Sequence, residues 1–160
     1  MRVMGVDPGL NGGVMIYDGH RQPEGFRIPN VPATFGTGRD LEYDALNIHF
    51  HRYASSGVSV CFFERNSARP GQGVSSMFKF GLATGTLRGL VLAYQIPCVM
   101  VTPQNWKKAQ GITGMGKPGA LMLCKELFGT NYGHDGMAEA ALIAHYGWGK
   151  TKEDMERDNG

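Results

Sequence analysis

The chain has 160 residues, enough for one domain with a core that needs no metal or disulfide staples. Apolar residues make up 42% and charged residues 19%, which excludes a disordered chain, and no apolar run of about 18 residues exists to span a membrane. The three cysteines, an odd number set in apolar stretches, read as reduced thiols of a cytoplasmic protein. Net charge is only +2, but its layout is uneven: residues 65–125 hold eight bases and no acid, leaving eight bases against fourteen acids elsewhere. Such segregation suits a polyanionic ligand.

In chain order, Val3-Met4-Gly5-Val6 reads as a buried strand entered at once, with no signal peptide, and it ends in the turn Asp7-Pro8-Gly9. Residues 13–17 form a second strand and residues 26–29 a short third one, where Pro29 demands an edge. A Pro/Gly/Thr loop covers residues 30–39, and Asp40 caps a helix reaching about Ser55. Residues 58–63 are a β-branched and aromatic strand that stops at Glu64. A polar loop, 65–74, leads to a long helix over 75–95 with Gly81, Gly85 and Gly89 on one face. Each of those glycines costs about 1 kcal/mol relative to Ala, so a close approach by a partner helix or by the sheet should compensate. A strand at 98–101 precedes a short helix begun by Thr102-Pro103 and holding Trp106-Lys107-Lys108, with Trp106 assigned to the core. Helices follow at 117–128 and 135–146, and the charged residues 150–160 are expected to fray as a disordered tail. This order implies an α/β fold, a mixed five-stranded sheet flanked by helices, in one domain spanning 1–149.

Four acids break the local pattern. Asp7 and Glu64 each end a strongly apolar strand, where a carboxylate loses hydration. Asp135 and Glu139 share a face at the start of the last helix, among alanines and aliphatic residues, and Glu139 has no base near it in sequence. Singly, Asp7 suits a turn, Asp135 a helix cap and Glu64 a rim charge. As a set they are hard-oxygen ligands suited to Mg²⁺ or Mn²⁺.

Gly5-Val6-Asp7-Pro8-Gly9-Leu10-Asn11-Gly12-Gly13, the acid Glu64 ending the fourth strand, and Asp135-Gly-Met-Ala-Glu139-Ala-Ala-Leu-Ile-Ala144 together resemble RuvC-type Holliday junction resolvases, within the RNase H-like nuclease superfamily. The loop Thr113-Gly-Met-Gly-Lys117 is similar to that family's DNA-contacting loop, and Thr102-Pro-Gln-Asn-Trp-Lys-Lys108 resembles its compact phage-borne forms. The likeness spans residues 3–146. It implies a homodimeric endonuclease that resolves four-way junctions by paired symmetric nicks, leaving 5′-phosphates. It further implies two divalent ions held by Asp7, Glu64, Asp135 and Glu139, and His134 as an accessory ligand or proton shuttle. Arg65, Arg69, Lys107, Lys108 and Lys117 are the expected DNA contacts, and the Gly81/Gly85/Gly89 stripe the expected dimer face. Two departures stand out: the final family acid is usually Asp, where Glu139 stands here, and residues 65–74 lack the aromatic that some members insert.

Other readings compete. A non-cleaving junction-binding protein and a general branched-DNA nuclease share these features. The opening motif also resembles the phosphate loop of actin-like ATPases, whose two large lobes 160 residues cannot supply. Gly114-Met-Gly-Lys-Pro-Gly119 matches a dinucleotide fingerprint only formally, since no strand precedes it.

Overall fold

The computed structural model describes residues 1–34, 38–67 and 71–158. Strands β1 (Val3–Asp7), β2 (Gly13–Tyr17) and β3 (Glu24–Arg27) form an antiparallel meander. A two-stranded hairpin, β4 (Asn30–Pro32) and β5 (Arg39–Leu41), follows, then helix α1 (Tyr43–Ala54) and strand β6 (Val60–Glu64). Helix α2 (Val74–Ala93) leads to β7 (Cys98–Val101), and α3 (Pro103–Ala109), α4 (Gly116–Phe128) and α5 (Asp135–Asp158) close the chain. The main sheet has the order β3-β2-β1-β6-β7, with β1, β6 and β7 parallel.

Alternation along the strands sorts side chains to two cores. Met4, Val6, Cys61 and Phe63 face one layer with Leu46, Phe50, Leu87 and Val91 of α1 and α2. Val3, Phe62, Val101 and Trp106 face the other, with the alanine-rich start of α5 and with Cys124 of α4. The same period of two puts Asp7 and Glu64 on the side of α3–α5. The five-stranded mixed sheet expected from the sequence is therefore the one observed.

Helix α5 lies very close to the sheet. A Cβ on Gly5 would collide with the backbone of Ala140 and Ala144, and one on Gly136 with the carbonyl of Asn11. Close approach is thus met at these positions and by the small residues Ala138, Ala140, Ala141 and Ala144, all fully buried. The stripe Gly81/Gly85/Gly89 is different: nothing lies within 4 Å of a Cβ built at any of the three, so this face of α2 does not pack on the sheet.

Other local expectations are corrected. Residues 30–39 are not wholly loop, because Asn30–Pro32 pairs with Arg39–Leu41. The cap of α1 is Glu42, whose Oε2 accepts from the amide of Ala45 at 2.7 Å, while Asp40 lies on β5 and pairs with Lys79 at 3.0 Å. The charged stretch after Lys150, expected to fray, continues α5 to Asp158. Ion pairs Lys150–Glu153 and Lys152–Glu156 line it, and Trp148 anchors its base against Tyr17 and under Lys152. The three cysteines are free thiols. Among the described residues no helix is long and apolar enough to cross a membrane.

Candidate active site

Asp7 leaves β1 directly into the turn 8–12, and the tight approach of Gly12 and Gly136, which form an isolated bridge, sets the start of α5 against that turn. A cavity of about 300 Å³ results, lined by Asp7, the turn residues, Phe80, Lys117, Asp135, Gly136 and Glu139. Three of the four expected acids therefore open on one cleft. Glu64, only 5% exposed, is not on its wall but acts electrostatically on Asp7.

Each acid has a distinct environment. Burial, then the negative charges of Glu64 and Glu139, push the Asp7 carboxyl well above the usual carboxylate range, and Lys107 offsets only part of this. Burial raises Glu64 as well, opposed by two hydrogen bonds. Trp106 Nε1 donates to Glu64 Oε2 at 2.7 Å and Asn66 Nδ2 donates to Oε1 at 2.9 Å. Glu139 Oε1 receives Lys107 Nζ at 2.6 Å. Asp135 Oδ2 lies 2.5 Å from Lys117 Nζ, and that ammonium holds its carboxyl below the usual range.

The cations so placed include two expected DNA contacts. Lys107 and Lys117 sit on the carboxylates, and Lys107 also lies over the Trp106 ring, 5.0 Å from its centroid. Lys108, next to Lys107, and Arg65, next to Glu64, are exposed, Arg65 lining a separate hollow with Thr102 and Gln104. Arg69 lies outside the described residues. The charge segregation seen in sequence is cancelled in part in space, since Lys79, Lys107 and Lys117, three of the eight bases, each meet an acid from outside the basic stretch.

His134, rather than Asp135, caps α5. Its Nδ1 accepts from the Gly136 amide at 3.3 Å and its carbonyl from Ala138. Burial, reinforced by the charge of Arg27, lowers its pKa, which favours the unprotonated Nδ1 that this role needs. Sequence reasoning missed Asn66, the second job of Trp106, and Phe80, which reaches the cleft from α2. Only Trp106 carried a signal, as a buried aromatic with a polar nitrogen that needs a partner.

The donor set suits a hard divalent cation: clustered carboxylates, one of them buried without sufficient compensation. In the present side-chain positions no group of three His, Cys, Asp or Glu among the described residues is placed to hold an ion. Two ammonium groups supply the positive charge instead. Asp7, Glu64, Glu139 and Asp135 are the residues that could hold a metal, once Lys107 and Lys117 yield their carboxylates.

No protein-family model and no curated protein matches the sequence. Among solved structures, Thermus thermophilus RuvC in complex with a Holliday junction substrate superposes with a TM-score of 0.63 at 16% identity, covering 91% of each chain. A second Thermus thermophilus RuvC structure gives 0.56 at 16% identity, covering 91% of this chain and 92% of that one. Over 91% of its length, the chain shares the fold of RuvC, a mixed five-stranded sheet flanked by helices.

Proposed function

We propose that the protein is a metal-dependent, structure-selective DNA endonuclease that resolves four-way junctions by paired symmetric nicks. The observation that carries this reading is the cleft shared by Asp7, Asp135 and Glu139, with Glu64 coupled to Asp7, Lys117 on the cleft wall and Lys107 paired with Glu139. Its support from outside is the fold shared with a protein whose structure holds a Holliday junction.

Asp7, Glu64, Glu139 and Asp135 would hold Mg²⁺ or Mn²⁺, which when bound supplies water activation and charge neutralisation for phosphodiester hydrolysis. The remaining work belongs to the chain itself. Trp106 and Asn66 fix the Glu64 carboxylate, one oxygen each, so that it does not rotate away. Lys117, 79% exposed at its side chain, reaches from the start of α4 toward the scissile phosphate. Lys107 releases Glu139 and turns to the non-bridging oxygens. Arg65, Arg69 and Lys108 contact flanking phosphates, which positions DNA without reading its bases. Products would carry 5′-phosphate and 3′-hydroxyl ends. His134, engaged as a cap, would act at most by orienting the start of α5.

Two nicks on a two-fold symmetric junction call for two active sites. Helix α2 offers a face for a second copy: Gly81, Gly85 and Gly89 are open, and Val74, Phe78, Leu82 and Leu92 around them are exposed. An isologous pairing across this face would let the helices approach closely.

A second reading, a junction-binding protein that does not cut, is favoured by one observation: Lys107 and Lys117 already neutralise two of the acids. A synthetic four-way junction incubated with Mg²⁺ or Mn²⁺ separates the two. Symmetric nicks across the junction centre support the resolvase; binding without cleavage supports the second reading; scattered single nicks indicate a general branched-DNA nuclease.

A further inference from the structure

A second cavity, about 500 Å³, has lining residues bonded to the turn that follows Asp7. It is lined by Arg27, Ile28, Pro29, Asn30, Arg39 and His49. Its charged and titratable side chains are two arginines and a histidine, and no carboxylate is among the described lining residues.

The two guanidinium groups are held in place by neutral partners. Arg27 Nη2 donates to Asn11 Oδ1 at 3.0 Å. Arg39 donates from Nε to Asn30 Oδ1 and from Nη2 to the Asn30 carbonyl, the latter at 2.7 Å. Neither arginine forms an ion pair among the described residues, unlike Lys79, Lys107 and Lys117. A guanidinium has five N–H donors, so each keeps donors for a ligand. The ring of His49 is stacked on Phe26 at 5.0 Å, which fixes its orientation at the cavity wall.

The cavity is tied to the candidate active site through the same turn. Asn30 Nδ2 donates to the carbonyl of Leu10 at 2.5 Å, and Arg27 grips Asn11, while Leu10 and Asn11 line the catalytic cleft on their other side. Braced, unpaired guanidinium groups in an open hollow are the chemistry of phosphate recognition. Their place one turn away from the clustered acids says which phosphate.

We propose that this cavity is a phosphate subsite that holds the backbone of the DNA strand running past the candidate active site, gripped by Arg27 and Arg39 with His49 at its wall. The proposal rests on the nuclease reading and adds a contact from β3 and β5, elements other than α3 and α4, which carry Lys107 and Lys117.

The test is equilibrium binding of a synthetic four-way junction in EDTA, measured across a salt series. The double variant Arg27→Gln/Arg39→Gln should bind about tenfold or more weakly, and its log K against log salt slope should be shallower by about one to two. Arg27→Lys/Arg39→Lys should keep the slope, which separates loss of charge from loss of fold, and Lys152→Gln on the far end of α5 should behave as wild type. Wild-type affinity and slope in the Gln double variant, with wild-type protein binding and cutting the junction, overturn this subsite alone. Wild-type protein that neither binds nor cuts overturns the nuclease reading and the subsite with it. Inorganic phosphate titrated at constant ionic strength identifies the source of the anion. Saturable phosphate binding lost in the Gln variant while junction binding is unchanged assigns the pocket to a free anion and overturns the strand assignment.

Discussion

The indole nitrogen of Trp106 lies 2.7 Å from Glu64 Oε2, joining a fully buried aromatic of α3 to the acid that ends β6. The same ring carries Lys107 on its face, and Lys107 holds Glu139. One side chain therefore couples two of the four acids across the gap between the sheet and α5. Core packing and site organisation are the same act here.

Trp106→Phe removes the donor and, at a fully buried position, part of the packed ring as well. A hydrogen bond to a charged group contributes about 1.5–3 kcal/mol, and Glu64 would be left with one partner in a buried place. Urea denaturation should show a loss of at least that size, because the cavity adds to it. In the cleavage assay the variant should need more Mg²⁺ for half-maximal rate, because Glu64 is no longer held in one orientation. Unchanged stability and unchanged metal dependence would remove Trp106 from the site.

Asp7→Asn should stabilise the metal-free protein while abolishing cleavage. The folded-state pKa of Asp7 is raised, so the folded state binds a proton more tightly than the unfolded chain. Its contribution is favourable below the unfolded pKa and is lost as pH rises through the shifted value. At neutral pH, above the unfolded pKa, this raised pKa is a cost to the folded state that Asn removes. Thermal melts in EDTA should therefore rank Asp7→Asn above wild type at pH 7 and bring the two together in acid.

Gly136→Ala should be severe although it adds one methyl group. The new Cβ would collide with the Asn11 carbonyl, where both neighbours are backbone and neither can move aside cheaply. Overpacking of this kind costs about 1–3 kcal/mol or more. Gly85→Ala, by contrast, faces open space and should gain about 1 kcal/mol of helix propensity in the isolated chain. Parallel thermal melts distinguish the buried glycine from the exposed one.

Gly85→Glu on the open face of α2 should abolish self-association if the dimer forms there. Sedimentation should then report a monomer with an unaltered circular dichroism spectrum, and junction products should change from paired nicks to independent single ones. A dimer that persists in Gly85→Glu places the interface elsewhere.

Much of the fold was legible because its strands are short apolar runs stopped by clear turn signals, and because each acid interrupts an apolar pattern. The missed hairpin β4–β5 has strands of three residues, too short for alternation to register. Glu42 was passed over as a cap because Asp40 is the commoner capping type. The glycines on α2 and α5 show a deeper limit. Spacing along a helix states which residues share a face, but not whether that face meets backbone, as at Gly136, or open space, as at Gly85. The lysines on Glu139 and Asp135 come from other elements, and no local pattern announces such a partner.

The central claim is that Asp7, Glu64, Asp135 and Glu139 jointly grip divalent ions. Anomalous diffraction from crystals soaked in Mn²⁺ tests it most directly. The account predicts manganese peaks within coordination distance of oxygens from Asp7, Glu64, Asp135 and Glu139, with Lys107 displaced from Glu139 and Lys117 from Asp135. Manganese absent from this cleft at saturating concentration, with both lysine ion pairs intact, would contradict it.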